Sequence, residues 1–565
     1  MPKTKIAIFD LTGCEGCEFH LFSLDEHLFD FFQDFEITHW RLLSEKPKEK
    51  DFDIAFVEGA ATTKEHIKLL KEIRETSKIV VAIGACAISG NFFAELTPEN
   101  RKKMAAKIYD KDYRLKAEFL EPIEKFIKVD EKIPGCPPSI PLFKKFLEKI
   151  KKEEVSSKIK EVSTPDFTAK IEGHGILRIN FKEKKAEFEV EESERLVEGL
   201  LLDKDYTRAP FITSRICGIC PIAHNLCSLS AIEDALKISP SKEAVILRKI
   251  LSAAQIIKSH VLHLFFLVLP DYAGIKSGIE LSKKYPAEFH LMLNLKRTAD
   301  KILNVIGGSS AFPTNTTLGG FIKPPKMEEL FSIKNSILDV IDEAQDLIKL
   351  FSGLEVPDIK VDIQFATIQP FINSYPFYPG RFSLPVKTLI EKDSPVKLGV
   401  LENGKIIKVG ALSRLANFSE FLNKKAKTAF EDFKFEFKNP FNNNLAQGIE
   451  ILHLLEEVLN LIEKIKGLDL EKAKGVEKIS PKETVSGKAC IEAPRGVLCH
   501  AVKINPEGKI KNYNVVTPTQ INLASLEKEI QALIKKDKET LPEKQKREIE
   551  KLIRAFDPCI TCAVH

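Results

Sequence analysis

Two Cys-x-x-Cys pairs, Cys217/Cys220 and Cys559/Cys562, stand far apart in a chain of 565 residues. For their thiols to serve one site, the last residues must fold back against a turn laid down long before them, so these pairs constrain the tertiary structure more than any other feature. Four thiolates from two such turns make a soft metal site. Tetrathiolate geometry alone admits zinc, iron or nickel, with zinc the commonest occupant. The second pair lies in Asp557-Pro-Cys559-Ile-Thr-Cys562-Ala-Val-His565, which ends on a further potential ligand.

Eleven cysteines in a reducing compartment stay as thiols or metal ligands rather than disulfides. The compartment is read from the N-terminus: MPKTKIAIFDLTGCEGC runs from a short apolar segment straight into a cysteine motif, without the sections of a secretory signal. A cytoplasmic protein is therefore expected. Apolar runs such as 261–269 are too short to span a bilayer, so no integral membrane segment is expected. Lys+Arg 85 against Asp+Glu 81 leaves a formal charge of +4, which argues against a nucleic-acid partner. The length, with 44% hydrophobic residues, calls for two or more domains.

From residue 5 to about 140, apolar runs (KIAIF, DIAFVEG, KIVVAIGA) alternate with amphipathic segments, which reads as βαβ units around a mostly parallel sheet. Residues 1–155 are assigned to this domain. The charged stretch 144–165, closed by Ser-Thr-Pro, runs into a linker at 156–168. Alternation from Ala169 to Val190 predicts an antiparallel hairpin, and 242–269, 291–305 and 326–351 carry helical periodicity. The second domain, 169–565, is expected to be mainly helical with a small sheet.

Cys14, Cys17, Cys86 and Cys136 lie in GCEGC, GACAISG and PGCPPS, in loops following apolar runs. Loops at the carboxyl ends of parallel strands converge on one crevice. Small neighbours let the backbone approach an inorganic cluster, so a four-Cys iron–sulfur site is favoured over structural zinc. Around the other cysteines stand Arg215-Ile-Cys217-Gly-Ile-Cys220-Pro-Ile-Ala-His224, Glu172-Gly-His174, Glu492-Ala-Pro494-Arg495-Gly and Pro518-Thr519. A structural zinc has no use for such polar company.

Together these motifs resemble the nickel–iron hydrogenases, with small and large subunits in one chain, in the manner of the cytoplasmic sulfhydrogenase-type and methanogen-type enzymes. The resemblance implies a flavodoxin-like α/β small-subunit domain followed by a mainly helical α+β large-subunit domain. It implies Cys217 and Cys559 as terminal thiolates on nickel and Cys220 and Cys562 as bridges to an iron carrying carbon monoxide and two cyanides. Pro494 and Thr519 would line the pocket for those diatomics, and Cys14, Cys17, Cys86 and Cys136 would hold one 4Fe-4S cluster. Cys559 would take the first proton from H2 and Glu172 relay it outward. Arg495 would lie over the metals with Asp271 and Asp557 as partners, and His224 would hydrogen-bond a bridging sulfur. Glu198 and His565 would hold a magnesium or iron ion near the C-terminus.

Three cysteines, Cys227, Cys490 and Cys499, then remain and read as small buried residues. With one cluster, electrons would leave to an iron–sulfur or flavin electron-transfer partner. Maturation proteins are implied as further partners, and a homo-oligomer is compatible. A hydrogen-sensing or redox-coupling module on the same scaffold is the alternative. His174, His260, His263 and His500 read as core histidines, and the Phe-rich segment 29–35 as core or subunit-interface packing. Ser89-Gly90-Asn91 replaces a common Gly pair with little expected effect. Where many relatives carry Gly-Gly-Arg and then His-Pro, this chain has Gly307-Gly308-Ser309-Ser310-Ala311-Phe312-Pro313, without that Arg and that His, a departure that bears on surrounding hydrogen-bond or proton paths and not on the metal ligands. Relatives often lose a C-terminal extension after the histidine, so the ending at His565 is compatible either with a mature form or with a gene that encodes no extension.

Overall fold

The computed structural model describes residues 3–45, 52–109, 113–151, 167–180, 183, 185–382, 386–390, 394–401, 403–536 and 543–565. All but the last two residues of the expected linker 156–168 lie outside the described residues.

Strands β1 (Lys5–Asp10), β2 (Glu36–Trp40), β3 (Ile54–Glu58), β4 (Ile79–Ile83) and β5 (Glu131–Ile133) form a parallel sheet in the order β2-β1-β3-β4-β5. Their near-continuous apolar runs are what a sheet covered on both faces demands. β1 and β5 lead at their carboxyl ends into the turns of Cys14 and Cys136, whereas β4 runs straight into a short helix, Gly84–Ser89, so that Cys86 sits on a helical turn where a loop was expected. The short helix α1 (Gly16–Leu21) starts within the first of these turns.

The predicted hairpin is present as β6 (Gly175–Asn180) and β7 (Lys185–Val190). Helix α2 (Pro221–Leu236) starts directly after Cys220, with Pro at its first position, where no N–H is needed. The remaining periodic segments form α3 (Lys242–Leu262), α4 (Pro286–Gly307) and α5 (Met327–Ser352), and α6 (Asn443–Ile465) joins their layer. α3 continues through a π-helical turn, His263–Val268, to Tyr272. The stretch Lys242–Tyr272 is long and apolar enough to cross a membrane, yet 94% of its most apolar window is buried inside this fold.

Strands β8 (Val485–Ala493), β9 (Gly496–Ile504) and β10 (Ile510–Val516) form an antiparallel sheet that packs on α2. The hairpin tip between β8 and β9 is Pro494-Arg495. Helix α7 (Pro518–Lys536) follows β10, and the last turn, Ile560–Val564, returns the C-terminal cysteines to the start of α2.

One hydrophobic core runs without a break from Phe22, Phe31 and Trp40 beside the first sheet to the α3 and α4 helices. Phe22 meets Phe266 at 4.5 Å between ring centroids, and Phe29 meets Phe289 at 6.3 Å. The Phe-rich segment is thus interface packing, as its composition suggested. The chain is an α/β small-subunit-like domain followed by a mainly helical α+β region.

Candidate metal centre

The Sγ atoms of Cys217, Cys220, Cys559 and Cys562 all lie within 4.8 Å of one another, and all four residues are buried. Cys217 and Cys559 approach to 3.3 Å. Among the described residues this is the one group of three or more His, Cys, Asp or Glu side chains close enough to share an ion. Tetrathiolate spacing of this size suits a soft ion bound at about 2.3 Å from each sulfur.

Local chain geometry explains the convergence. Cys217 and Cys220 lie on the turn that opens α2, where the Cys220 N–H donates to Cys217 Sγ at 3.3 Å. Cys559 is stitched beside Glu172 by an isolated parallel bridge, the Ile560 N–H donating to Glu172 O at 3.0 Å. The Cys559 N–H donates to Thr519 Oγ1 on the first turn of α7 at 3.1 Å. A fully buried arginine clamps both motifs. Arg195 donates to Arg215 O at 3.0 Å, to Ile216 O at 2.7 Å and to Thr561 O, one residue before Cys562. The sequence alone gave no sign of Arg195, because it belongs to neither cysteine motif.

Glu172 touches the thiols. Its Oε1 accepts from Cys217 Sγ at 3.4 Å and from Thr561 Oγ1 at 2.7 Å, while Oε2 is buried without a hydrogen-bond partner. Burial, reinforced by Cys217, pushes this carboxyl well above the ordinary range despite Arg495 nearby. Arg495 donates through Nε to Asp557 O and through Nη2 to Asp557 Oδ1, both at 2.6 Å, leaving Nη1 unpartnered in the interior. Pro494, Arg495, Pro518 and Thr519 line a small apolar cavity with Cys220, Cys559 and Cys562. His224 Nε2 lies 3.2 Å from Cys562 Sγ, and its Nδ1 the same distance from His500 Nε2, which continues to Tyr513 OH at 2.8 Å. His500 and His260 are core histidines as expected, His260 being held by Glu450 at 2.8 Å.

Asp271 is not a partner of Arg495. It is taken by Lys170 and by Arg554 Nη1 at 2.6 Å, in a separate charge cluster that Glu45 completes. The π-helical turn places His263 Nε2 at 3.8 Å from Asp557 Oδ1.

Glu198 and His565 do meet, Oε1 to Nε2 at 3.7 Å, and that His565 nitrogen is buried without a hydrogen-bond partner. An orphaned imidazole facing a carboxylate fits a bound cation. Lys397, which no motif announced, pairs with the other Glu198 oxygen at 2.5 Å. Together with His565 it holds that carboxyl down at about 2 against the cost of burial.

Cys14, Cys17, Cys86 and Cys136 lie beyond the carboxyl ends of β1, β4 and β5, Cys14 and Cys17 buried and Cys86 and Cys136 half-buried. Asn91, expected to matter little, points its amide at two of them, 3.8 Å from Cys86 Sγ and 3.7 Å from Cys136 Sγ. Arg215 stacks over Phe211 at 3.7 Å and Phe312 at 4.5 Å beside the same thiols. The two sites are joined by backbone, the Gly218 N–H donating to Cys14 O at 2.7 Å.

Cys490 and Cys499 are bonded to each other, correcting their reading as free small residues. They stand directly opposite in the β8–β9 register, which a sequence separation of 9 across a tight hairpin imposes. Cys227 remains a buried thiol, donating to Ala489 O at 3.3 Å.

Fold and site thus define a two-part chain with four buried thiols placed to share a metal ion, a buried carboxyl beside them and a second set of cysteines at the edge of the first sheet. The sequence matches the family described as nickel-dependent hydrogenase over 195–290 and 403–565, and the NADH ubiquinone oxidoreductase 20 Kd subunit family over 14–150. It is 31% identical over 426 residues to sulfhydrogenase 1 subunit alpha of Pyrococcus furiosus, covering 71% of this chain and 97% of that protein. It is 25% identical to the NAD-reducing hydrogenase HoxS subunit beta of Cupriavidus necator, covering 71% of this chain and 94% of that one. The fold matches an NAD+-reducing [NiFe]-hydrogenase in its H2-reduced state with a TM-score of 0.63 at 20% identity, covering 71% of this chain and 98% of that one. The chain belongs to the nickel-dependent hydrogenase family and is an oxidoreductase acting on hydrogen.

Proposed function

We propose that this chain joins both subunits of a nickel–iron hydrogenase, a small-subunit part over 1–155 and a large-subunit part over 169–565, and reversibly cleaves H2 heterolytically in the cytoplasm. The observation that carries this is the meeting of four buried thiols with one buried carboxyl, Glu172. Cys217 and Cys559 would hold nickel terminally, and Cys220 and Cys562 would bridge it to an iron bearing carbon monoxide and two cyanides. Bound there, the metal pair supplies the polarisation and electron acceptance that splitting hydrogen requires.

The chain's own groups do the rest. Cys559 would receive the first proton and Glu172 carry it outward. Thr561 Oγ1 fixes the receiving oxygen of Glu172 at 2.7 Å, so the carboxyl need not reorganise when the proton arrives. The unpartnered Arg495 Nη1 places positive charge at the site, and Asp557 orients it. Pro494, Pro518 and Thr519 line the small apolar cavity beside the thiols and would keep it dry for the diatomic ligands.

Cys14, Cys17, Cys86 and Cys136 would hold a single 4Fe-4S cluster, from which electrons pass to an iron–sulfur or flavin protein. Glu198 and His565 would hold a magnesium or iron ion that anchors the Cys562 turn. Maturation proteins would load the bimetallic centre.

Purified protein should contain nickel and iron together, and its infrared spectrum should carry cyanide and carbon monoxide bands. A preparation holding zinc alone, without those bands, sinks the reading.

A further inference from the structure

Arg195, Arg248 and Arg414 are all fully buried. Two of them are neutralised where they stand. Glu233 takes Arg248 through both oxygens, at 2.7 and 2.8 Å. Glu450 takes Arg414 at 2.6 and 2.7 Å, and Glu492 joins it at 2.9 Å. Arg195 has no such partner. Its hydrogen bonds all go to main-chain carbonyls, those of Arg215, Ile216 and Thr561, and its Nε makes none. Among the described residues no carboxylate lies within ion-pair distance of it. A charge without a counter-charge is among the costliest groups to bury, so this one calls for an anion that the neighbouring side chains do not supply.

Its position says where the anion belongs. The carbonyls it binds are those of the two residues before Cys217 and the one before Cys562, and its guanidinium carbon lies 6.0 Å from the centre of the Phe93 ring. Two residues before Phe93 is Asn91, whose amide faces Cys86 and Cys136. Arg195 thus stands between the four-thiol site and the second cysteine set. That second set is shaped for an inorganic group: a Cβ at Gly84 would lie 2.3 Å from Cys17 Sγ and one at Gly16 3.1 Å from Cys14 Sγ, so glycine at both positions keeps the thiols open. Four thiolates on an iron–sulfur cluster, like four on a metal pair, leave a centre of net negative charge. Arg215, whose carbonyl Arg195 holds, brings a second guanidinium to the same place, 5% exposed and also without a carboxylate among the described residues.

We propose that Arg195 is the counter-charge shared by the two centres, and that it sets how readily the cluster accepts the electron leaving the bimetallic site. This rests on the hydrogenase reading of both cysteine sets. An electron arriving on the cluster adds one negative charge, which a fixed cation beside it stabilises; net charge and solvent exposure are among the factors that set a cluster's potential. Burial keeps salt from screening the attraction. Hydrogen supplies the electron and the acceptor protein removes it, so no further reactant is consumed.

The test is a potentiometric titration of the metal-loaded protein, read by electron paramagnetic resonance of the reduced cluster. In Arg195→Gln the reduction equilibrium should move about tenfold toward the oxidised cluster, a fall in midpoint of about 59 mV for one electron, with the line shape unchanged. Arg195→Lys, which restores the charge but not the planar fork that spans three carbonyls, should keep the wild-type midpoint. Arg195→Met serves as the neutral variant if Gln loses the cluster. An unchanged midpoint in the neutral variant overturns the proposal. So does an equal fall in the Lys variant, because the missing fork is what the two then share. Loss of the cluster signal from both neutral variants also overturns it, leaving Arg195 a clamp on the cysteine turns and nothing more. Wild-type protein that binds neither nickel nor a reducible cluster would instead refute the hydrogenase reading, and this proposal with it.

Discussion

Replacing Glu172 by Gln is expected to leave the metals in place while slowing exchange of hydrogen with solvent by about 10²- to 10⁴-fold, the contribution of a positioned proton-transfer group. Gln keeps the shape of the side chain, and its amide can still meet Thr561 Oγ1, which lies 2.7 Å from the present carboxyl oxygen. The packing of the 0% exposed side chain is therefore conserved. What disappears is the group able to take up a proton beside Cys217, and burial leaves no solvent route around it. Metal analysis together with mass-spectrometric detection of HD checks the outcome. Full exchange in a variant with normal nickel and iron content would remove Glu172 from the path; loss of nickel would mean that its role is to hold Cys217 in place.

Much of this site was legible because its ligands sit in short motifs whose internal spacing is a local property. A Cys-x-x-Cys pair opening a helix with Pro places both thiols on one turn regardless of what lies far away, and the carboxyl ends of parallel strands must gather their loops. The groups that the sequence did not disclose are those whose roles depend on long-range packing. Arg195 binds carbonyls of both cysteine motifs, but nothing near Leu196 in sequence announces either of them. Lys397 reaches Glu198 from a separate strand. Asp271 was misassigned because the cations that take it, Lys170 and Arg554, come from distant parts of the chain. Cys490 and Cys499 looked like isolated small residues until the register of their hairpin placed them face to face. The parallel sheet and the long helices were predictable from periodicity; the continuity of one core through both halves was not, since it depends on which aromatic faces meet.

Gly218 should tolerate no side chain, and Gly218→Ala is expected to damage both metal sites at once. An added Cβ would lie 2.3 Å from Gly16 Cα, 2.4 Å from Gly16 N and 2.7 Å from Cys14 O, where ordinary contact begins at 3.4 Å. All three obstacles are backbone, so no rotamer change relieves them, and the two segments must part. Parting them breaks the 2.7 Å hydrogen bond from Gly218 N to Cys14 O. The bond and the overpacking together cost on the order of 2–4 kcal/mol. More important than the total is where the movement falls. Gly218 lies between Cys217 and Cys220, and Gly16 lies between Cys14 and Cys17, so a shift of either backbone displaces thiols of both ligand sets. Ligand atoms displaced by more than a few tenths of an ångström leave the range in which a metal–sulfur bond forms. The variant should therefore purify with depleted nickel and with a weakened cluster signal in electron paramagnetic resonance. Gly353→Ala is the control, because its Cβ would meet nothing closer than 3.6 Å at an α-helix end with ordinary φ. Normal metal content and an unaltered cluster spectrum in Gly218→Ala would show that the two sites are not mechanically joined at this contact.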